Sequence, residues 1–240
     1  MDSPLTQFMV KPLVSLSMGP IDISFTNSSL FMLLTVLSII LLLSMGLRKR
    51  SFIPGKWQSF VELLYELVLT MLKENVGTKG IAYFPFVLSI FLFVLFGNLI
   101  GLLPYAFTFT SQLVLTFGLA MLIFVVVTCI GFLNHGLKFF KFFLPEGAPL
   151  IMAPLLIPIE VISYLSRPVS LSIRLFANMM AGHTMLKVFA LFGVLLGAYG
   201  ISTVLLNTIL IAFEVLVAFL QAYVFSVLTC LYLSDAIHMH

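Results

Sequence analysis

Apolar stretches long enough to cross a lipid bilayer fill most of this chain of 240 residues. Hydrophobic residues make up 61% of the chain and charged residues only 9%, whereas a soluble domain carries about a quarter charged residues. A water-soluble fold of this size has too little interior to bury 25 phenylalanines. The sequence therefore predicts an integral membrane protein, with the lipid bilayer as its solvent.

Five membrane crossings are predicted from the apolar runs. A transmembrane helix needs ~20 apolar residues to span ~30 Å of hydrocarbon, and the runs at 30–47, 81–103 and 113–133 approach or exceed this length. The chain then stays apolar over 148–235, where a glycine-rich break near Gly197 predicts a hairpin of two long helices. The first arm would be ~70 Å long as a straight helix, so the arms must tilt or bend, and bending is expected where the prolines concentrate.

A different kind of helix is predicted at 54–76. Polar and apolar residues there recur on opposite sides at spacings of three and four, which is typical of a helix lying in the membrane surface. The polar side carries Glu62, Glu66, Thr70 and Lys73, and the apolar side carries Phe60, Leu64, Leu67 and Met71. The predicted fold class is an all-α membrane protein in one domain over 1–240, with five crossing helices and one interfacial amphipathic helix.

Loop charges predict the orientation of the chain, because lysine and arginine concentrate on the cytoplasmic side of membrane proteins. Basic residues at 48–56 and at 138–141 lie two spans apart and mark the same side, while 104–112 has no charge. The N-terminus is therefore expected in the outer compartment and the C-terminus on the positive side. Nothing at the N-terminus resembles a cleaved signal, so the chain is expected to insert through its own spans.

Ionisable groups in the last two helices are the candidates for function, because a charge in lipid costs roughly 3 to more than 10 kcal/mol. Arg174 is the central candidate, since a guanidinium keeps its proton and attracts a carboxylate instead of relaying protons. The alternative is an arginine that reaches toward lipid headgroups. Counted from a turn near residue 198, Arg174 lies level with Gln221. The same count places His183 level with Glu214.

His183 and Glu214 are predicted to form a proton uptake path from the outer side. Imidazole exchanges protons near neutral pH, and a buried carboxyl group can do so as well. Either residue alone would also fit a hydrogen-bonded core position. Glu160 precedes Arg174 by about 21 Å along a straight helix, toward the positive side. It lines the proton exit in one interpretation and is an interfacial carboxylate in the other.

The other polar groups of the spans are less specific. Asn98 lies between Gly97 and Gly101 and is interpreted as polar support, although small residues four apart more often indicate close helix packing. Arg167 is expected to face a bend or a partner chain, and Lys187 can reach outward along its stem. Among the remaining groups, His238 and His240 would allow a metal site, but a solvated tail is the favoured interpretation.

No cofactor and no metal are predicted. The net charge of +3 is too small for the basic field that nucleic-acid binding requires, so nucleic acid is not an expected partner.

Three segments carry a family resemblance. The stretch 163–183, SYLSRPVSLSIRLFANMMAGH, resembles the segment of ATP synthase a subunits that carries their essential arginine. The resemblance continues in FGNLIGLLPYAFT at 96–108 and FLQAYVFSVLTCLYL at 219–233. The opening SPLTQF, and a histidine at 183 with an acid at 214, are similar to mitochondrial and alpha-proteobacterial members.

The resemblance implies a role for Arg174 against a rotating ring of c subunits, each with one buried carboxylate. Asn178 and Gln221 would then supply polar contacts beside the arginine. The chain would be a stator subunit of the membrane sector, with no catalytic chemistry of its own and with other stator and membrane subunits as partners.

The resemblance also implies two aqueous half-channels that do not meet. Protons would enter past His183 and Glu214 and leave past Glu160. The mitochondrial inner membrane is the expected location, with the bacterial plasma membrane as the alternative.

A proton-coupled secondary transporter is the alternative function, since it also keeps charges at mid-membrane. Such folds often carry duplicated halves, and this sequence shows no second hairpin. A protein that only assembles a complex would leave the charges unexplained.

Overall fold

The computed structural model describes residues 8–15, 17–18, 21–22, 24–48, 53–103, 106–136, 139, 153–195 and 200–238. Almost all of this part of the chain is helical, which confirms the predicted all-α class. The helices are α1 (Asn27–Leu47), α2 (Lys56–Val76), α3 (Phe84–Gly101), α4 (Leu113–His135), α5 (Ala153–Leu195) and α6 (Gly200–Ile237). Short 3₁₀ turns, Thr78–Tyr83 and Phe109–Ser111, precede α3 and α4.

Five of these helices, all except α2, are long and apolar enough to cross a membrane. The 43 residues of α5 and the 38 of α6 correspond to ~65 Å and ~57 Å at 1.5 Å per residue, about twice the hydrocarbon thickness. Both helices must therefore tilt in a bilayer. Because α5 is assigned as helix through Pro158 and Pro168, the bend expected there stays a prediction.

The last two helices form the predicted hairpin. Near the turn, the backbones of Gly193 and Gly200 are in contact, and at the far end Arg167 meets Asp235. The two arms therefore run antiparallel along their length. The predicted break at Gly197 and the predicted start at 148 lie outside the described residues.

The core lies around α3 and α6. Phe91 of α3 and Phe225 of α6 are the largest fully buried side chains, and Phe91 contacts Phe219 edge to face at a centroid distance of 6.2 Å. α6 packs against α2, α3, α4 and α5. α5 packs mainly against α4, α6 and the turn at Phe109–Ser111. Among the described residues, one long face of α5 therefore has no helix packed against it.

α2 is amphipathic, and its buried residues Leu64, Val68 and Met71 face the bundle. The predicted polar stripe of Glu62, Glu66, Thr70 and Lys73 is exposed. Phe60, predicted on the buried side, is also exposed. The apolar residues of α2 cover two faces, and Phe60 lies with Trp57 on the outward one.

Short strands, which the sequence did not predict, precede α1. They are β1 (Pro12–Val14), β2 (Ser17–Met18), β3 (Ile21–Asp22) and β4 (Phe25–Thr26), with β1 antiparallel to β4 and β2 antiparallel to β3. Asn27 ties this segment to α1: its Nδ2 donates to the carbonyl of Met9 and its Oδ1 accepts from the Lys11 amide, each at 3.2 Å. Phe8, next to Met9, lies near the start of α4, where its carbonyl accepts a hydrogen bond from Nε2 of Gln112 at 2.7 Å.

Candidate functional site

Arg174 lies at the midpoint of α5 on its outward face, and its side chain is exposed. No carboxylate among the described residues lies within ion-pairing distance of its guanidinium. The surrounding face is apolar, with Ile173 49% exposed. The structure thus presents a fixed positive charge to whatever lies against the middle of α5.

Asn178 and Gln221 form a polar pair one turn from Arg174. The Nδ2 group of Asn178 donates to Oε1 of Gln221 at 2.8 Å. Gln221 is 5% exposed, and its Nε2 group has no hydrogen-bond partner among the described residues. The turn count placed Gln221 level with Arg174, whereas the structure brings it to Asn178. The amide of Gln221 is therefore held by Asn178, one helical turn from the arginine.

His183 faces the connection between α3 and α4. Its Nε2 lies 3.0 Å from Oγ1 of Thr108, and the Phe8 ring meets the imidazole edge to face at a centroid distance of 6.4 Å. Thr108 is buried. Sequence reasoning missed Thr108, because no helical period assigns a direction to a side chain in a loop.

Glu214 of α6 packs directly against α5 next to His183. Its Oε1 occupies the space that a methyl group on Gly182 would need. Its Oε2 is buried with no hydrogen-bond partner in the described part of the chain. The carboxylate thus lies beside the residue adjacent to His183, although no direct hydrogen bond joins the two side chains among the described contacts.

Asn98 is completely buried in α3, and neither its Oδ1 nor its Nδ2 has a partner among the described residues. The flanking glycines, Gly97 and Gly101, accommodate Phe109 and Thr108. The small residues therefore make room for the α3–α4 connection, and not for a second helix as the spacing suggested.

Glu160 is half-buried in the second turn of α5, and no contact of its carboxylate is found with the described residues. Its assignment to a proton exit stays a prediction.

An ion pair that the sequence reading did not find joins the far ends of the hairpin arms. Nη1 of Arg167 donates to Oδ2 of Asp235 at 2.8 Å. The guanidinium lies 5.1 Å from the ring centroids of both Tyr164 and Tyr232, a distance at which the ring faces attract a cation. The Tyr164 hydroxyl is 2.8 Å from Thr128 of α4. The turn count brings Asp235 level with residues 160–162 of α5, five to seven residues short of Arg167, so it does not predict this pair.

No group of three or more histidine, cysteine, aspartate or glutamate side chains suited to a metal occurs in the described ranges. His240, which the sequence analysis considered together with His238 as a metal site, lies outside the described ranges.

Along α5 the polar groups follow a consistent order. From the Gly193–Gly200 end of the hairpin, the levels are His183 with Glu214, Asn178 with Gln221, Arg174, Arg167 with Asp235, and Glu160. Arg174 lies ~14 Å along the helix from His183 and ~21 Å from Glu160. In this arrangement, His183 and Glu214 can exchange protons on one side of Arg174, and the fixed positive charge of Arg174 can attract a carboxylate of another chain.

Comparison with known proteins supplies the family context. The family model described as ATP synthase A chain matches residues 29–234. ATP synthase subunit a of Rhodospirillum rubrum is 54% identical over 244 residues and covers 100% of both chains. The subunit a of Paramagnetospirillum magneticum is 51% identical over 247 residues, also with 100% of each chain covered. That of Pelagibacter ubique is 52% identical over 240 residues, covering 99% of this chain and 98% of the relative.

Proposed function

This chain belongs to the ATP synthase A chain family, and from this membership we propose that it is the stationary side of a proton path that runs against a rotating ring of c subunits. It is a subunit of the proton-translocating membrane sector of an F-type ATP synthase. Arg174 is the counter-charge to the ring carboxylates.

The observation that carries this proposal is the contrast between two arginines of α5. Arg167 is compensated inside the chain by Asp235 and two tyrosine rings. Arg174 is exposed on the face that the bundle leaves free, with no described carboxylate in reach. An unpaired charge in hydrocarbon costs roughly 3 to more than 10 kcal/mol, whereas a carboxylate at ~4 Å returns about 4 kcal/mol at an effective dielectric constant of 20. The missing partner is therefore a carboxylate on another subunit.

His183 and Glu214 take up protons from the outer side and pass them to a ring carboxylate. The neutral carboxyl group then travels through lipid, and its proton leaves past Glu160. Arg174 keeps the passing carboxylate ionised and blocks a direct leak between the two half-channels. Asn178 and Gln221 position the arginine, and Asn98 supplies polar support. Each proton that crosses 100 mV contributes ~2.3 kcal/mol to the cycle.

The relatives reported above are bacterial, so the bacterial plasma membrane fits this chain better than the mitochondrial inner membrane that the sequence reading placed first. The N-terminus faces the outer compartment and the C-terminus faces the positive side. The partners are the lipid bilayer, the c-subunit ring and the other membrane and stator subunits. The proton-coupled transporter receives no support from these relatives.

Replacing Arg174 with alanine tests the proposal. ATP-driven proton pumping in inverted membrane vesicles is expected to disappear, while the subunit composition of the purified complex stays normal. Lys187→Ala is the matched control, because it also removes one positive charge from α5 and is expected to keep most of the pumping. Normal pumping by an assembled complex with Arg174→Ala would contradict the assigned role.

A further inference from the structure

We propose that Thr108 is a positioning residue for His183, because it accepts a hydrogen bond from the imidazole and thereby selects the tautomer that takes up the transported proton. The inference rests on the proposed function of His183 in proton uptake. Thr108 lies in the α3–α4 connection, outside the hairpin that carries His183.

The hydrogen-bond partners of Thr108 favour one direction of donation. Its Oγ1 lies 3.2 Å from the carbonyl oxygen of Gly101 and 3.0 Å from Nε2 of His183. A hydroxyl group has one hydrogen, and the carbonyl of Gly101 can only accept. When the hydroxyl donates to Gly101, Nε2 of His183 carries the hydrogen that is donated to Thr108.

A neutral imidazole has one N–H, so this arrangement leaves the free lone pair on Nδ1 of His183. Proton uptake then forms an N–H bond at Nδ1 while an O–H bond of a hydronium ion breaks and leaves a neutral water molecule. Release breaks the same Nδ1–H bond and passes the proton to the next acceptor. Nε2 keeps its own hydrogen and donates it to Thr108 throughout. The imidazole ring therefore does not have to rotate between uptake and release.

The fold holds Thr108 rigidly enough for this task. The carbonyl of Thr108 accepts from the side chain of Ser111 at 2.6 Å and from the Ser111 amide at 3.1 Å. On the other side, a methyl group on Gly101 would lie 2.6 Å from Cγ2 of Thr108. Only glycine at position 101 therefore lets Thr108 pack against α3, which gives that glycine a role in the site.

Among the described contacts of the His183 ring, the hydrogen bond to Thr108 is the polar one that orients it. Phe8 supplies an edge-to-face contact, and its carbonyl is fixed by Nε2 of Gln112 at 2.7 Å. The titratable neighbours are Glu214, which packs on Gly182, and Lys187, which lies one turn further along α5. Neither has a described hydrogen bond to the imidazole, so the tautomer depends on Thr108.

The test compares Thr108→Val with a nearby control in the complete ATP synthase, reconstituted into phospholipid vesicles. Valine keeps the shape of threonine and removes the hydroxyl, and Thr108→Ser keeps the hydroxyl. Thr110→Val is the matched control, because Thr110 is 2% exposed and its hydroxyl has no partner among the described residues. The readouts are ATP-driven proton flux and the ¹⁵N solid-state NMR signals of His183, identified by their loss in His183→Gln.

With Thr108→Val, the Nε2–H tautomer signal is expected to shift toward the Nδ1–H form, and proton flux to fall about tenfold, the factor expected for one lost hydrogen bond. Thr108→Ser should restore both readouts, and Thr110→Val should change neither. An unchanged tautomer in Thr108→Val, or in Thr108→Ala if valine prevents assembly, overturns the inference. A changed tautomer with normal flux supports the positioning role of Thr108 and overturns the role of His183 in uptake.

Discussion

Asp235→Asn is predicted to loosen the α5–α6 hairpin at the end opposite its turn. Arg167 and Asp235 are joined at 2.8 Å, with side chains 20% and 41% exposed. Asparagine has nearly the same shape and still accepts a hydrogen bond, so the substitution removes mainly the charge. The guanidinium then remains between Tyr164 and Tyr232 without its counter-ion.

The size of the effect follows from the distance and the exposure. At 2.8 Å, Coulomb attraction is about 1.5 kcal/mol at the dielectric constant of water and about 6 kcal/mol at an effective value of 20. Partial exposure and the cost of desolvation bring the net contribution toward the lower limit, about 1–2 kcal/mol. For a chain of this length, that free energy corresponds to a fall in Tm of about 2–8 °C.

The assay is thermal unfolding of the purified chain in detergent, followed by circular dichroism. Glu66→Gln is the control, because Glu66 is an exposed carboxylate on α2 and is expected to change Tm by less than about 1 °C. A double-mutant cycle with Arg167→Gln isolates the pair from the tyrosine contacts. A coupling free energy below ~0.5 kcal/mol, or equal shifts in Asp235→Asn and Glu66→Gln, would refute this reasoning.

Two further predictions concern the proton path. Gly182→Ala places a methyl group where Oε1 of Glu214 lies and is expected to lower proton flux at least about fivefold. Gly118→Ala is the control, because its methyl group meets open space, and it should leave the flux unchanged. Equal flux in both variants would show that the position of the Glu214 carboxylate does not matter. Glu160→Cys, in a chain without its native cysteines, should react with a membrane-impermeant thiol reagent from the positive side, and labelling only from the outer side would reverse the assignment of the exit.

The sequence predicted the helical hairpin well because few arrangements are open to it. Long apolar runs must become helices in lipid, and a tight antiparallel hairpin pairs residues at equal distances from its turn. This count places Glu214 close to His183. It is off by about one turn for Gln221, which meets Asn178 instead of lying level with Arg174, because the count assumes two straight arms that rise equally.

Contacts made by loops and by very short strands could not be predicted from periodicity in the sequence. The hydrogen bond between Thr108 and His183 joins residues 75 positions apart, and one of them lies in a connection without a regular period. The short strands before α1 have two or three residues each, too few for an alternating pattern to be visible. The pair of Arg167 and Asp235 was not predicted, because counting equal distances from the turn brings Asp235 level with residues 160–162 instead.

The close contact near the turn has a mechanical consequence. A methyl group on Gly200 would overlap the carbonyl of Gly193, so the two arms touch there through their backbones, while Arg167 and Asp235 join them at the opposite end. Two rods joined at both ends resist a sideways push at mid-length better than rods joined at one end. Arg174 lies between the two joined ends, so if the proposed ring of c subunits presses on this part of α5, the two arms would resist being spread apart.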